Sequence, residues 1–432
     1  MRIAVIGGGL SGCCAASVIA ASRTLAAKCP ALEVTVFESG RGLGGRASTR
    51  RLESGGRVDH GCQYISIKPP PASDHRFTSL VDRLERSGAV AEWKGHFCEL
   101  HTSGTIEESD DAAKNKRRMV GVGGMNNICK TLIGESSRIN TRFGSRVREI
   151  RFDEDGDRKW HLHIANVTAR HVDENSASSV DNGDLIEGPF DGLVATDKLL
   201  ASDSVTRLFG DAHPMSFVSR TSAADPSRNS ESVEKIIGAM RMTSSTPSFV
   251  LMLEMKGPIL REIFDGANIH GSDVIAWVSK DSSKPGRGVE DAMSVQRWVI
   301  QSTGDFARRK LDGSGELLRK LKRGSDEYKL AFERIGDELL EEFISLLESA
   351  YNIDGKAAIV DNVKSRTVHR WGSAFPDVGE SGDFNLPVVD ADTMMAVCGD
   401  WTRAPQAEGA AVSGIIAGEA LVEAILSQRE SP

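Results

Sequence analysis

The chain opens on an apolar run, Arg2 to Ile6, that stops at Gly7-x-Gly9-x-x-Gly12, and a second apolar run, Val34 to Phe37, ends on Glu38. This pairing constrains the fold more than any other feature. A strand stopping at Gly7 can turn tightly, Gly9 lets backbone approach a pyrophosphate, and Gly12 lets the following helix lie against the sheet. From Leu10 and Ser11 onward, that helix presents unpaired N–H groups and its positive dipole end to an anion. Glu38, at the tip of the second strand, is placed to accept from both hydroxyls of a ribose. The segment predicts a dinucleotide-binding unit.

The 432 residues suffice for two or three domains and a bulky cofactor. A net charge of -8 gives no global basic field for nucleic acid, and the run Lys114-Asn115-Lys116-Arg117-Arg118 reads as a solvated loop. No uninterrupted apolar stretch of about 18 residues occurs, so no transmembrane segment is expected. The first strand begins at residue 2, leaving no room for a signal or transit peptide, and the expected location is the cytoplasm. The seven cysteines include no Cys-x-x-Cys pair, so neither a disulfide framework nor a metal site is expected from them. His161 and His163 would share a strand face, a spacing metals use; with no third ligand nearby in sequence they read as exposed strand histidines.

Organisation along the chain follows its glycines and charges. Gly42-Leu43-Gly44-Gly45-Arg46 forms a second glycine-rich element, and Pro69-Pro70-Pro71 breaks the chain before a helix expected over 76–86. The stretch from Val120 to Met125 leads into a helix over 127–132 and a strand over 145–150. Residues 173–188, rich in Ser, Asn and Asp, read as a surface insertion before the apolar run Phe190 to Thr196. Between 201 and 383 alternating strands, 249–254 and 295–300, precede a long charged helix over 336–351. The dense charges from Arg308 to Lys329 read as a solvated helical hairpin. A last buried strand, 394–400, ends on Gly399-Asp400, and Glu408-Gly409-Ala410 opens a helix to about residue 426.

Two glycine-rich helix starts at opposite ends of the sequence make sense if both touch one elongated cofactor. FAD meets that demand better than NAD. The expected architecture is α/β: a discontinuous Rossmann-like FAD-binding domain of residues 1–66, 119–200 and 384–432, joined to a second α+β domain. That substrate domain, 67–118 and 201–383, would be built on a mixed or antiparallel sheet. Asp400 would reach the ribitol or phosphate side. The helix from Gly409 would aim its positive end at the flavin N1 and C2 carbonyl, worth ~0.3–1 kcal/mol when exposed and up to ~2 when partly buried.

The motifs Gly-Gly-Gly-Leu-Ser-Gly at 7–12, Gly-Leu-Gly-Gly-Arg at 42–46, Asp-His-Gly-Cys-Gln-Tyr at 59–64 and Val-Gly-Val-Gly-Gly-Met-Asn at 120–126 occur in this order. They are completed by His-Arg-Trp-Gly-Ser-Ala-Phe-Pro at 369–376, Cys-Gly-Asp-Trp at 398–401 and Glu-Gly-Ala-Ala-Val-Ser-Gly at 408–414. With this set the chain resembles the FAD-dependent amine oxidase superfamily and, within it, the renalase-like branch that includes plant and algal FAD/NAD(P)-binding oxidoreductases. The resemblance implies that Gly7, Gly9 and Gly12, with Leu10 and Ser11, hold the pyrophosphate, that Glu38 and Ser39 hold the ribose, and that Gly44, Gly45 and Arg46 lie beside the phosphates and flavin. Val147 would meet adenine through its backbone. Asp59, Gly61 and Gln63 would lie on the loop passing the isoalloxazine, Gln63 hydrogen-bonding the ring or the substrate and Tyr64 beside it. His369, Arg370 and Trp371 would face the flavin from a substrate-domain strand. For Gln63, Tyr64, His369 and Trp371, the candidate catalytic residues, ordinary packing is the alternative.

Two departures separate this chain from an amine oxidase. Such enzymes place a lysine six residues before a Lys-x-Pro turn; here the turn is Lys256-Gly257-Pro258 and the slot holds Val250, flanked by Phe249, Leu251 and Met252. They also carry a cage aromatic where this chain has Gln406. An amine must be deprotonated and held against the ring, so losing both features disfavours amine oxidation. Direct hydride transfer to flavin N5 needs chiefly positioning. The resemblance implies a dihydronicotinamide donor, an isomer of NAD(P)H, with oxygen as acceptor giving hydrogen peroxide, and a plastid as the alternative compartment where a presequence has been removed. The alternatives are an amine oxidase or carotenoid-type desaturase, and a non-catalytic FAD-containing binding or regulatory protein. Cys398 does not stand where a flavin-attaching cysteine would, so non-covalent FAD and a small-molecule partner are expected.

Overall fold

A computed structural model of the chain describes residues 1–69, 71–111, 113–153, 156–166, 185–202, 212–218, 231–257, 260, 263–287, 294–312, 318, 321–322, 324–378 and 388–430. The chain runs β1 (Arg2–Ile6), α1 (Leu10–Ala21), α2 (Arg23–Lys28), β2 (Glu33–Phe37), β3 (Thr49–Arg51), β4 (Arg57–Asp59), β5 (Ile65–Ile67), α3 (His75–Arg86) and β6 (Val90–Glu92). It continues through β7 (Phe97–His101), β8 (Ile106–Glu108), β9 (Arg117–Gly121), α4 (Asn126–Gly134), β10 (Ile139–Arg142), β11 (Ser145–Phe152), β12 (Trp160–Asn166), β13 (Leu185–Phe190) and β14 (Gly192–Ala195). Then come α5 (Glu231–Met242), β15 (Ser245–Lys256), β16 (Gly266–His270), β17 (Ile275–Lys280), β18 (Val295–Ser302), α6 (Gly304–Asp312), α7 (Asp326–Tyr351), α8 (Gly355–Ala358), β19 (Val363–Pro376), β20 (Val389–Asp390), β21 (Met395–Val397) and α9 (Ala407–Glu430). The expected insertion at 173–188 falls largely outside the described residues, as does Pro258.

The first layer is a sheet in the order β10-β2-β1-β14-β21-β20, with β20 antiparallel at the edge and the other pairings parallel. Its central strands are apolar on both faces because both are covered. Helix α1 lies on one face and the three-stranded sheet β11-β12-β13 closes the other through Phe152, Trp160 and Phe190. Helix α9 packs on α1 at small residues: a Cβ on Gly414 would overlap the Ser11 carbonyl oxygen, and one on Gly418 would come within 3.0 Å of the Ala15 carbonyl oxygen. By length and composition α9 is apolar enough to cross a membrane, although Glu419 and Glu423 interrupt its apolar run; half of its apolar window is buried inside the protein.

The second layer is a sheet in the order β19-β15-β18-β17-β16-β7-β8. Alternation along β15 gives it two different faces. Phe249, Leu251, Leu253 and Met255 point into a core with Phe343 and Leu347 of α7, whereas Val250 and Met252 meet Leu52, Val58 and Val299 on the face toward the β3–β4 hairpin. The expected helix over 336–351 begins ten residues earlier, at Asp326, where Ser325 caps it by accepting from the Tyr328 N–H. Of the expected charged hairpin, α6 buries Phe306, Ala307 and Leu311 in this core.

Packing divides the chain differently from the boundaries read off the sequence. Helix α3 buries Phe77, Leu80, Val81 and Leu84 in the core of the first layer, so within 67–118 it is β7 and β8 that reach the second sheet. Helix α5 likewise packs Ile236 and Met240 with Val397 and Trp401 of the first layer. The helix over 76–86 was expected from the sequence and α5 was not, and in neither case did the sequence show which sheet would be covered.

Candidate active site

At the glycine turn, the conformation explains the residue types. Gly7 has φ +112°, and a Cβ there would overlap the Thr196 hydroxyl, which donates to the Ile6 carbonyl at 2.8 Å. A Cβ on Gly12 would overlap the Gly7 carbonyl oxygen, whereas one on Gly9 would meet nothing within 4 Å. Gly7 and Gly12 are thus demanded by the protein itself, while Gly9 borders open space at the N-terminus of α1. No side chain caps that terminus. Its first-turn N–H groups and dipole are available to an anion. Leu10 and Ser11 are buried in this turn. Glu38 accepts from the Gly8 N–H at 2.8 Å and the Gly40 N–H at 2.5 Å, and the Ser39 hydroxyl lies 3.4 Å from the same carboxylate. A ribose would share a carboxylate already fixed by the turn.

The second glycine element folds back on the first. Gly44 and Gly45 have φ +130° and +52°, and the Gly44 N–H donates to the Gly8 carbonyl at 2.9 Å. This places Arg46 across from Asp400, with two bonds of 2.6 Å between guanidinium and carboxylate and a third, 3.0 Å, to the Ala374 carbonyl on β19. Burial pushes the Asp400 carboxyl above its ordinary value, an effect Arg46 offsets only in part. Gly399, at φ +136°, donates its N–H to the Ser413 hydroxyl at 3.0 Å, joining this corner to α9.

The start of α9 is engaged by the protein. Glu408 accepts from the Asp74 N–H at 2.6 Å and the Ser73 hydroxyl at 3.3 Å, and so ties down the entry to α3. A Cβ on Gly409 would overlap the Ala404 carbonyl oxygen, and the Ala410 N–H donates to the Gln406 carbonyl at 3.0 Å. Gln406 is exposed, and Trp401 is buried with its Nε1–H donated to the Cys398 carbonyl. Neither forms a cage wall. Val147, 7 % exposed, packs in the core beneath β11 and pairs with Ile164 just before a bulge.

Register explains how the loop from Asp59 to Tyr64 meets the second sheet. His369, Val250, Gln301 and Trp277 stand opposite one another across β19, β15, β18 and β17. Directly opposed residues share a face. The loop runs along this row: the His60 and His369 rings are 4.7 Å apart, Gln301 Nε2 donates to the Gly61 carbonyl at 2.8 Å, and Tyr64 lies 5.5 Å from Trp277. Trp371 stacks on His60 at 5.2 Å and donates its Nε1–H to the His60 carbonyl at 2.7 Å. A Cβ on Gly61 would overlap the Arg46 carbonyl oxygen. Burial, aided by the Arg50 charge, lowers the His60 imidazole to about 4, so at neutral pH it is an uncharged ring. Val250 is fully buried, and no cation occupies its place.

Sequence reading missed the charge cluster that fixes the loop. Asp59 is 0 % exposed; it accepts from the Thr49 hydroxyl at 2.7 Å, the Met125 N–H at 2.9 Å and Lys284 Nζ at 3.2 Å, and is ion-paired with Arg287. Asp281 lies 2.8 Å from Lys284 Nζ and 3.0 Å from Arg287 Nε, and accepts the Asp59 N–H at 3.1 Å. Burial alone would raise the Asp59 carboxyl; the Lys284 and Arg287 charges outweigh it and hold the group below its usual range. Gln63, 6 % exposed, donates its amide N–H groups to the Asp59 and Gly61 carbonyls, and its amide oxygen accepts from the Ser279 hydroxyl and Lys284 Nζ. Its amide is therefore a brace inside the protein rather than a free donor to ring or substrate. The signal available in the sequence was Asp281-x-x-Lys284-x-x-Arg287, charges at a spacing of three that resemble an ordinary solvated loop.

Tyr64 has a different environment. The expected solvated run at 114–118 is partly strand β9, and Arg118 on it is 4 % exposed. Its guanidinium lies 4.6 Å from the Tyr64 ring, 4.2 Å from Phe97 and 5.7 Å from Trp277. Strand β9 is buried on both faces, with Met119 and Val120 both fully covered, so no apolar alternation in the sequence marks Arg118 as inward. Elsewhere, His161 and His163 lie beside Asp157 and Glu149 at 3.8 and 3.7 Å. Asp153, Asp157 and His161 bring ligand-type atoms within 4.8 Å of one another at the surface, where Asp153 already accepts the Gly156 N–H.

The fold is a Rossmann-like layer, with its glycine-turn cradle, joined to a second sheet layer. Residues 5–84 match the NAD(P)-binding Rossmann-like domain family. Among solved structures, a candidate protoporphyrinogen oxidase from Exiguobacterium sp. 255-15 aligns over 98% of both chains, with 11% identity and a TM-score of 0.54. Putrescine oxidase bound to putrescine aligns over 98% of this chain and 99% of its own, with 11% identity and a TM-score of 0.57. A double mutant from the same cofactor-binding redesign gives 0.56 at 11% identity, over 98% of this chain and 99% of its own. The shared feature is the fold: a Rossmann-like domain joined to a second sheet domain.

Proposed function

We propose that the protein is an FAD-dependent oxidoreductase, renalase-like in its chemistry, that takes a hydride from a small dihydronicotinamide donor, an isomer of NAD(P)H. Oxygen is the proposed final acceptor, giving hydrogen peroxide. The observation that carries this reading is the row His369, Val250, Gln301 and Trp277, which faces the loop beside the dinucleotide cradle and holds a buried valine where an amine oxidase of this type keeps its lysine. When bound, FAD supplies a two-electron acceptor. The protein supplies position: the α1 terminus and Glu38 take the pyrophosphate and ribose, and Arg46 stands between the glycine turn and β19. Gln63 and Gln301 lock the Asp59 and Gly61 carbonyls so that the loop keeps its shape. His60, neutral at pH 7, packs against the rings of Trp371 and His369 to form an aromatic wall beside the loop. Direct hydride transfer asks for geometry rather than a base, and geometry is what these contacts fix.

The test is anaerobic mixing of the FAD-loaded protein with dihydronicotinamide isomers and, separately, with polyamines. The expected result is bleaching of the oxidised flavin band by the dihydronicotinamides and not by the amines. Bleaching by amines overturns the donor assignment. A flavin that no donor reduces identifies a binding or regulatory flavoprotein instead.

A further inference from the structure

We infer that the β3–β4 hairpin is a docking surface for an acidic protein. Residues 41–57 hold five arginines and one glutamate, in a chain whose net charge is -8. Arg50, Arg51 and Arg57 are exposed on the hairpin and make no hydrogen bond or ion pair among the described residues. Register sets Arg51 directly opposite Arg57, so two like charges share one face of an antiparallel pair, which destabilises it. Arg50 stands opposite Val58 on the other face. Partial burial and the like charge of Arg41 lower its guanidinium below the ordinary value, an effect Glu53 offsets only in part. The other carboxylates nearby are engaged elsewhere. Asp59 and Asp281 face Lys284 and Arg287, Glu254 is paired with Arg297, Asp400 is paired with Arg46, and Glu38 accepts from the Gly8 and Gly40 N–H groups. Glu53 alone remains against the three arginines.

The hairpin is held in place in spite of this repulsion. Leu52 and Val58 pack with Val250, Met252 and Val299, the Ser54 hydroxyl donates to Glu254 at 2.7 Å, and a Cβ on Gly56 would overlap the Arg297 guanidinium. A cationic surface fixed in advance loses little freedom when it binds. Its chemistry selects a protein. The apolar residues Leu52 and Val58 are 8 % and 0 % exposed, so neither can enter a lipid surface. No aromatic side chain lies between residues 49 and 59 for a base to stack on. A three-residue strand spans about 10 Å, roughly one Debye length at 0.1 M salt, so a long polyanion would run past the arginines onto an acidic surround. The acidic face of a folded protein need cover only the hairpin, its carboxylates meeting the arginines in charge-assisted pairs. Because β4 runs into the loop from Asp59 to Tyr64, a partner docked here would lie at the edge of the candidate site.

The experiment titrates the FAD-loaded protein into fluorescently labelled polyglutamate at low salt and reads anisotropy. Binding should be saturable, should weaken as salt rises, and should slow hydrogen–deuterium exchange at residues 49–59. Arg51→Thr should weaken it by up to about fivefold, the worth of one exposed ion pair, and the triple variant Arg50→Gln, Arg51→Thr, Arg57→Thr by more than about tenfold. Arg334→Thr, which removes the same charge from α7 on the opposite side of the second sheet, should leave binding unchanged. Arg51→Thr should also melt at or above the wild-type temperature, because it relieves a like-charge pair. No saturable binding, or equal weakening by Arg334→Thr, overturns the inference, as does a marked fall in the melting temperature of Arg51→Thr, which would show that the arginines serve the fold. Tighter binding of single-stranded RNA or of phosphatidylserine vesicles, lost in the triple variant, overturns the choice of a protein. None of these readouts uses flavin reduction, so the inference and the proposed function stand or fall separately.

Discussion

Two buried cationic clusters flank the loop from Asp59 to Tyr64, and they are built to opposite rules. At one end Lys284 and Arg287 face Asp59 and Asp281, two cations against two carboxylates, with Gln63, Thr49 and the Met125 N–H taking up further positions. At the other end Arg118 and Lys116 share a single carboxylate, and Ser66 Oγ, Arg118 Nη1 and Trp277 Nε1 have no hydrogen-bond partner among the described residues. A closed charge cluster fixes one conformation; an open one leaves interactions for a ligand to complete. The loop is therefore anchored by a fully paired cluster where it leaves β4 and by an incompletely paired one where it enters β5.

The sharpest way to break this contrast is to remove a charge from the closed cluster. Asp59→Ala leaves Lys284 and Arg287 buried against Asp281 alone, and a broken buried pair costs about 3–5 kcal/mol. Urea unfolding of the FAD-loaded protein should show that loss as a lowered midpoint. Trp277→Phe, in the open cluster, removes a donor that has no partner and should cost far less. Equal destabilisation by the two would end the distinction.

A second test uses pH, because the wall beside the loop contains a histidine kept neutral. Burial, helped by Arg50, lowers His60 from 6.5 to about 4. With the folded value below the unfolded one, the unfolded chain takes up the proton first as pH falls, so stability is full above 6.5, declines between 6.5 and 4, and levels off below. The decline approaches ~3 kcal/mol for a shift of this size. In His60→Phe, which preserves a ring against Trp371, the difference in melting temperature from wild type should change with pH across that window. A pH-independent difference would show that His60 titrates normally and that the wall is wetter than its burial indicates.

The contrast also shows what a sequence can disclose. Gly7, Gly12 and Glu38 were legible because each requirement is local: a positive φ, a helix lying against its own strand, a carboxylate at a strand tip. Val250 was legible as a missing lysine through the resemblance, but its partners were not. His369, Gln301 and Trp277 come from three other strands, and register alone aligns them. Lys284 and Arg287 looked like surface charges because nothing near them in sequence shows that Asp59 will be their neighbour. The run at 114–118 misled for the same reason: Arg118 is buried only because Tyr64, Phe97 and Trp277 arrive from elsewhere to cover it. Gln63 lies on the loop from Asp59 to Tyr64, and its amide oxygen is satisfied by Ser279 and Lys284 of the other layer, partners its local sequence does not disclose.

The smallest expected change in stability comes from Gly9, and it separates the cradle from the scaffold. Gly12→Ala would force a Cβ onto the Gly7 carbonyl and disturb the seating of α1, a requirement of the fold itself. Gly9 has φ -74°, a value open to any residue, and its Cβ direction is clear. Gly9→Ala should therefore change the stability of the FAD-free protein by no more than roughly 0.5–1 kcal/mol, the difference between glycine and alanine at a helix N-cap. Its effect should appear in cofactor retention instead, because the added methyl occupies the path by which a pyrophosphate reaches the α1 N–H groups. Dialysis against FAD followed by absorbance should show affinity lowered more than about tenfold while the FAD-free melting curve stays near wild type. Undiminished FAD retention in Gly9→Ala would mean that the pyrophosphate lies elsewhere, and that Gly9 is one more glycine of the turn rather than the floor of the site.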